Sequence, residues 1–190
     1  MKSFLKQLST LHRIRKTKLG KVLIKSYLNK PRFFHVSLPF PVSLRPLTHA
    51  SIWIAPEKIE PEITSLIRCL GLFIKESKKS LSFFDIGSNI GWHAWNCKAS
   101  TTDVPIHVFE PDEMNVFLLN ETIKHSELSG ISTHSLAISD KEGEALFNVD
   151  SITSATGTLE VNQRSWTEKY LNHKPDKIFV HCTCLDSLES

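Results

Sequence analysis

Glycine is scarce in this chain of 190 residues, which has only seven glycines and nine prolines. This composition excludes collagen-like and low-complexity architectures, which need far more of both residue types. Cysteine is also rare, and the four cysteines show neither the CxxC pairs of a zinc site nor the density of a disulfide scaffold. We therefore expect reduced thiols and no bound metal.

Long apolar runs are missing as well. No stretch of eighteen uncharged apolar residues occurs, and charges are spread through the first residues of the chain. The first observation predicts no membrane-spanning helix, and the second argues against a signal peptide. Because 41% of the residues are hydrophobic, the chain can bury a core of ordinary size. These features predict a compact protein in the cytoplasm.

Acidic residues are absent before Glu57, where the chain has eleven Lys and Arg. The remainder carries twelve basic and twenty acidic side chains, a balance of −8. This asymmetry predicts two regions, a basic N-terminal extension over residues 1–56 and a main domain over residues 57–190.

Residues 1–34 place apolar side chains among lysines and arginines at loosely helical intervals. A basic amphipathic helix of this kind contacts an anionic membrane surface, a partner protein or its own domain. Gly20 interrupts the pattern, which favours packing against the domain over the membrane. Nucleic acid is a poorer candidate partner, because no stacking aromatics are interleaved with the basic residues.

Apolar periodicity predicts the elements that follow. Alternation at 42–44 and at 52–54 predicts two short strands, and apolar residues at intervals of three and four predict a helix from Glu57 to about Lys78. Later segments predict, in order, a buried strand at 81–86, a helix from about 90, a strand at 106–109, a helix at 112–128, a strand at 131–138, an antiparallel strand within 141–150 and another strand within 177–190. The β-α-β-α-β order predicts a parallel sheet.

The turn after the strand at 81–86 is the first candidate site. The strand ends near Asp85, Gly87, Ser88 and Asn89 follow, and the next helix begins near Gly91. A strand, turn and helix in this order present backbone N–H groups to a ligand above the strand's carboxyl end. Glycine lets a ligand approach the backbone without a Cβ in the way. We therefore expect a nucleoside over this turn, the alternative being an ordinary strand-to-helix turn.

Glu110 follows the next short strand, about twenty residues beyond the turn. An acid at this position of a second strand can accept hydrogen bonds from both hydroxyls of a ribose. The alternative is that Glu110 ends a solvated strand or caps the next helix, because Pro111 and Asp112 are typical of a helix start.

Five segments occur in an order and at spacings typical of one known family: FFDIGSNIGWHAW, HVFEPDEMNVFLLNETI, LAISDKEGEALFNV, SATGTL and VHCTCLDSL. Together they resemble the FkbM family of S-adenosylmethionine-dependent methyltransferases. The resemblance covers roughly Ser82 to the end of the chain and leaves residues 1–56 outside it. It implies an α/β fold of class I methyltransferase type, with a Rossmann-like parallel sheet. It also implies S-adenosylmethionine as the cofactor and a hydroxyl of a sugar or natural product as the methyl acceptor.

The resemblance assigns site residues by position. It implies cofactor binding by Asp85, Gly87, Ser88, Asn89, Gly91, Glu110 and Ala137, with Glu110 at the ribose and Ala137 near the adenine. Ser154, Thr156 and Gly157 match a small-residue loop where acceptor contacts occur, and a plain polar connector is the alternative. His93 is a candidate base for the acceptor's proton, and a packed or hydrogen-bonded histidine is the alternative. No catalytic residue is assigned.

Family members continue after the LDSL segment into a strand with a KIDVEG-like motif, whereas this sequence stops at Ser190. We therefore expect a sheet that is incomplete on its C-terminal side and has the strand at 81–86 as an exposed edge. Two functional interpretations stay open: an active methyltransferase, and a shortened chain that binds the cofactor or a partner without catalysis. A nicotinamide dehydrogenase is a weaker third, because the turn lacks GxGxxG.

Overall fold

The computed structural model describes residues 29–77, 81–101, 104–149, 154, 156–160, 168–169 and 174–188. Most of the segment that the sequence predicts as a basic helix therefore lies outside the described residues. The described part is mixed α/β and contains three small sheets. Within it, no helix is both long enough and apolar enough to cross a bilayer.

The elements are numbered in chain order. The strands are β1 (Arg32–Phe34), β2 (Val42–Leu44), β3 (Phe83–Ile86), β4 (Ile106–Phe109), β5 (Ile131–His134), β6 (Ala137–Ile138), β7 (Gly143–Val149) and β8 (Asp176–Thr183). The helices are α1 (Ala50–Ile54), α2 (Pro61–Ser77), α3 (Trp92–Ser100) and α4 (Glu113–His125). Short 3₁₀ turns occupy Pro56–Lys58 and Leu185–Leu188.

The central sheet is parallel and has the order β3-β4-β5, which confirms the predicted β-α-β-α-β arrangement. Ile106 and Val108 of β4 are fully buried in a core that also contains Leu118 and Leu119 of α4. The register pairs Ile86 with Phe109, so β3 and β4 end side by side. This sheet is compatible with a fragment of a Rossmann-like fold, and it places the two segments that follow β3 and β4 next to each other.

The opposite face of this sheet carries a row of rings. Phe84 stacks on His107 and on Phe109, with ring centroids 5.0 and 6.0 Å apart. Phe109 stacks in turn on His134, and the Nδ1 atom of His107 lies 3.2 Å from Nε2 of His134. Aromatic and imidazole side chains therefore link all three strands on this face.

In the described part of the chain, β3 pairs on one side only, with β4. Phe84 and Ile86 of β3 and the preceding Leu81 are exposed. The prediction of a buried strand at 81–86 is therefore wrong, because among the described residues no second strand lies beside β3 to shield these side chains. Within the part of the chain that the structure describes, the expectation of an exposed apolar edge at this strand is confirmed.

The second sheet has the order β6-β8-β7 and its own small core of Ala137, Phe147, Val180 and Cys182. β7 pairs antiparallel with β8, which confirms the prediction of an antiparallel strand within 141–150. The strand predicted at 131–138 is divided, because its last residues leave β5 and pair in parallel with β8 instead. This division brings β6 and β7 beside the carboxyl ends of β3 and β4.

β1 and β2 form a separate antiparallel pair. The sequence places Arg32–Phe34 in a basic helix, and this is wrong. Phe33 stacks on His125 of α4 with ring centroids 3.8 Å apart, and Phe34 stacks on Trp53. Contacts with residues distant in sequence therefore stabilise a strand at this position rather than a helix. Val42 and Leu44 of β2 lie in the same hydrophobic core as residues of β4. The predicted domain boundary at residue 56 stays a prediction.

The strand predicted at 52–54 is also wrong, because Ile52 and Ile54 lie in α1. The side-chain oxygen of Asn29 accepts hydrogen bonds from the N–H groups of Leu47 and Thr48, which holds the turn before the helix. The N–H of Ile52 then donates to the carbonyl of His49. These local bonds use the backbone groups that a strand would need for a partner.

The helix predicted from Glu57 to about Lys78 is confirmed with a later start, at Pro61. Proline suits this first position, since the first N–H groups of a helix have no partner within it. Of its apolar row, Ile67 is buried, whereas Leu66, Leu70 and Phe73 are exposed. Most of this row therefore lies outside the core.

Candidate functional site

A cavity of about 310 Å³ lies where the carboxyl ends of β3 and β4 meet β6 and β7. Its volume is at the lower end of the range of small-molecule pockets. Its lining comprises Ile86, Gly87, Asn89, Glu110, Pro111, Asp112, Asn115, Ala137, Ile138, Phe147, Ser154, Gly157, Thr158 and Leu159. Residues of both the central and the second sheet line the cavity, so the shape of the cavity depends on the arrangement of the two sheets.

The turn after β3 and the acid after β4 meet at this cavity. One carboxylate oxygen of Glu110, Oε2, accepts the N–H of Asn89 at 2.7 Å. Gly87 has φ +70°, and a Cβ at this position would have nothing within 4 Å. Asn89 also has a positive φ, of 52°, which asparagine tolerates better than most residues. The two parts of the site predicted from separate motifs therefore border one space.

The backbone N–H groups of the turn after β3 donate hydrogen bonds within the chain. The N–H groups of Gly87 and Ser88 both donate to the carbonyl of Phe109, at 2.9 and 3.0 Å, and that of Gly91 donates to Ser88. Together with the bond from Asn89 to Glu110, these contacts give each of the four N–H groups an acceptor within the chain. These four N–H groups therefore do not face a ligand, because the turn is tied to the end of β4, and the expectation that the helix N-terminus presents N–H groups to a ligand stays a prediction.

Three of the residues assigned to the cofactor loop lie beneath the cavity and outside its lining. Asp85 is buried and accepts the N–H of Ala94 at 2.9 Å through Oδ2, which satisfies a donor in the first turn of α3. Ser88 is also buried. Gly91 precedes α3, and a Cβ there would lie 2.7 Å from atoms of Leu119 and Trp95. These residues support the turn, and their assignment to the cofactor stays a prediction.

Glu110 is buried, and its carboxylate is held by three donors. Besides Asn89, the N–H of Asp112 donates to Oε1 at 2.9 Å and the amide of Asn115 donates to the same oxygen at 3.4 Å. Burial raises the pKa of the Glu110 carboxyl above its ordinary value, and the three hydrogen bonds oppose this rise. The capping alternative is correct in part, since Glu110 does bind Asp112, while Asp112 itself caps α4 by accepting the N–H of Met114.

The apolar part of the lining comes from the second sheet. Ala137, assigned to the adenine by resemblance, opens β6 and is buried at the cavity. Phe147 of β7 lies behind Gly157, where a Cβ would approach the ring to 2.5 Å. Ser154 and Gly157 border the cavity, whereas Thr156 is not in its lining, and the acceptor contacts that the resemblance implies stay a prediction.

Sequence reasoning missed Asn115, which is 2% exposed and lines the cavity. A signal was present, since Asn115 lies on the buried face of α4 together with Leu118, Leu119 and Thr122. A polar residue on the apolar face of a helix needs a hydrogen-bonding partner. Here the partners are Glu110 and Ser154.

His93 lies away from the cavity lining. Its Nε2 atom is 2.9 Å from a carboxylate oxygen of Glu60, the residue before α2. This contact favours the alternative of a hydrogen-bonded histidine over that of a base.

Among the described residues, no group of three or more His, Cys, Asp or Glu side chains is arranged to hold a metal ion. The four cysteines are free thiols, as expected.

Comparison with known proteins finds no matching family model and no matching curated protein.

Proposed function

We propose that this chain binds S-adenosylmethionine in the cavity at the ends of β3 and β4 and transfers its methyl group to a hydroxyl oxygen. The acceptor class, a sugar or natural product, comes from the resemblance to the FkbM family. One observation carries the proposal: the glycine turn and the carboxylate of Glu110 border the same cavity, joined by the 2.7 Å bond from Asn89.

The residues present fit a nucleoside. A carboxylate has about four acceptor positions, and Glu110 uses three of them. Oε2 therefore keeps one position, and the 3.4 Å contact from Asn115 to Oε1 is long enough for a ligand hydroxyl to replace it. Two acceptor positions match the two hydroxyls of a ribose. The apolar side chains of Ala137 and Phe147 supply a wall for a base.

When bound, the cofactor would supply a methyl group already activated by a sulfonium. The chain would then need to align the acceptor and to help remove its proton. Within the described lining, the titratable side chains are those of Glu110 and Asp112, and both accept hydrogen bonds from backbone N–H groups. Since these carboxylates already hold the backbone, binding without methyl transfer is the second candidate function.

Substituting Gly87→Arg tests the cofactor site. The new side chain starts from open space at the cavity, so we expect it to weaken S-adenosylmethionine binding about tenfold or more in isothermal titration. Gly130→Arg is the matched control, because Gly130 has a nearly identical φ of 71° and equally open space, and lies at the other end of the sheet. Equal losses in the two variants, or a preference for nicotinamide nucleotides, would contradict the proposal.

A methyl-transfer assay separates the two candidate functions. The full chain is incubated with cofactor labelled in its methyl group and with extracted glycans, and Gly87→Arg serves as the blank. Label in the glycan fraction supports the transferase. Tight cofactor binding without any label supports the binding function.

A further inference from the structure

Ser154 is connected to the carboxylate of Glu110 through Asn115. The hydroxyl of Ser154 donates to Oδ1 of Asn115 at 2.8 Å, and the amide of Asn115 donates to Oε1 of Glu110 at 3.4 Å. The relative exposures of Ser154 and Asn115 are 8% and 2%, so water competes little for these bonds. The three side chains therefore form a buried chain that ends at the ribose-binding candidate.

The backbone of Ser154 supports a specific role for its hydroxyl. Its φ is +60°, a left-handed conformation that is uncommon for serine. The hydroxyl also lies 3.4 Å from Oδ1 of Asn89 in the glycine turn. A strained conformation persists where its contacts hold it in place. Here the contacts join residue 154 to the turn after β3 and to α4.

The bond from Ser154 also orients Asn115. With Oδ1 facing the serine hydroxyl, the Nδ2 group faces Glu110. The reversed amide would bring its oxygen against the carboxylate, which is unfavourable. Glu110 therefore selects this orientation of Asn115, and the Ser154 hydroxyl supports it by donating to the amide oxygen, which holds the Asn115 donor against the Glu110 carboxylate.

We propose that Ser154 and Asn115 are positioning residues of the ribose subsite, which orient Glu110 so that the site selects nucleosides carrying both ribose hydroxyls. This inference rests on the proposed function, since it assigns a selectivity to the same cavity. Neither residue needs to touch the reacting atoms. Their contribution is measured by the preference for a complete ribose, which a purely structural role would not change.

The test compares the binding of adenosine and of 2′,3′-dideoxyadenosine to the full chain by titration calorimetry. We expect the unmodified chain to prefer adenosine about tenfold or more, because the analogue leaves a buried carboxylate position unpaired. Ser154→Gly removes the hydroxyl while glycine accepts the positive φ without strain. We expect this variant to lose about threefold to tenfold of the preference, through weaker adenosine binding.

A second variant keeps the test decisive. Asn115→Asp replaces the donor to Glu110 by a like charge, and we expect it to reduce the same preference. Asn120→Asp, at an exposed position of α4, makes the same chemical change as a control. If the unmodified chain prefers adenosine and both site variants keep the full preference, this inference alone is overturned. If the unmodified chain binds neither nucleoside, the proposed function and this inference both fail.

Discussion

Two buried carboxylates lie at the carboxyl ends of β3 and β4, and they have different roles. Glu110 borders the cavity, whereas Asp85 lies beneath the turn and accepts the N–H of Ala94. Burial raises the pKa of Asp85, and the hydrogen bond from Ala94 opposes this rise. Because Asp85 does not line the cavity, we expect its titration to affect the stability of the fold.

Asp85→Asn tests this difference at the level of one residue. The pKa of Asp85 is raised in the folded state, so the unfolded chain releases this proton first as the pH rises above the ordinary value of 3.8. The free energy of unfolding of the unmodified chain therefore falls relative to that of the variant, until the raised pKa is passed. Urea unfolding between about pH 4 and pH 8 measures the difference between the two proteins.

The amide keeps an acceptor for Ala94, so the variant is expected to fold. Asp140→Asn, at an exposed aspartate, serves as the control. A difference between Asp85→Asn and the unmodified chain that stays constant over this pH range would contradict the prediction.

At the level of single residues, sequence reasoning found the positions that motifs mark. Gly87 and Glu110 belong to a recognisable pattern, and both border the cavity. Asn115 was missed because its importance comes from Ser154, 39 residues away in sequence. His93 was a candidate base on the basis of its residue type alone, and its pairing with Glu60 could be seen only in three dimensions.

At the level of elements, α3 depends on close packing at its first turn. Trp95 and Leu119 occupy the space beside Gly91, and Gly91 has φ +81°. The second glycine of the turn is therefore required for packing, whereas Gly87 leaves the cavity open.

Gly91→Ala is expected to lower the free energy of unfolding by about 1–3 kcal/mol more than Gly130→Ala. Both positions have a positive φ, so the backbone cost is similar, but a Cβ at residue 130 meets nothing within 4 Å. Urea unfolding of the two variants measures the difference. Equal losses would show that the neighbours of Gly91 move aside at no cost.

The elements from β3 to β5 could be predicted because each is encoded locally. Ile106–Phe109 was predicted with its observed bounds, since a short apolar run ends at a charged residue. β1 could not be predicted, because the sequence around Arg32–Phe34 is typical of a basic helix. The contact between Phe33 and His125, which lies far away in sequence, is visible only in the structure. The hydrogen bonds of the Gly87 and Ser88 N–H groups could not be predicted for a similar reason: their acceptor, the carbonyl of Phe109, belongs to another strand.

At the level of the whole molecule, a row of apolar side chains on α2 belongs to neither hydrophobic core of the described part. Leu70 is 48% exposed and Phe73 is 64% exposed, on one face of α2. Exposed apolar groups that lie together favour association between molecules.

We expect the double variant Leu70→Lys, Phe73→Lys to reduce concentration-dependent self-association in sedimentation experiments. The free energy of unfolding should change little, by about 0.5 kcal/mol or less per site, because neither side chain is buried. Ser65→Lys, at an exposed position of the same helix, is the control for added charge. Unchanged sedimentation would show that this face does not mediate association.

The ring row on the open face of the sheet has an acid–base consequence. The 3.2 Å gap between His107 Nδ1 and His134 Nε2 accommodates a single shared proton, so the tautomer of one imidazole dictates that of the other. Burial and the neighbouring His107 lower the pKa of His134, and a doubly cationic pair is disfavoured. Because the pKa of His134 is lowered in the folded state, we expect acidification below the ordinary histidine value of 6.5 to lower the free energy of unfolding, through a pair that lies beside the bond from the Glu110 N–H to the carbonyl of His134.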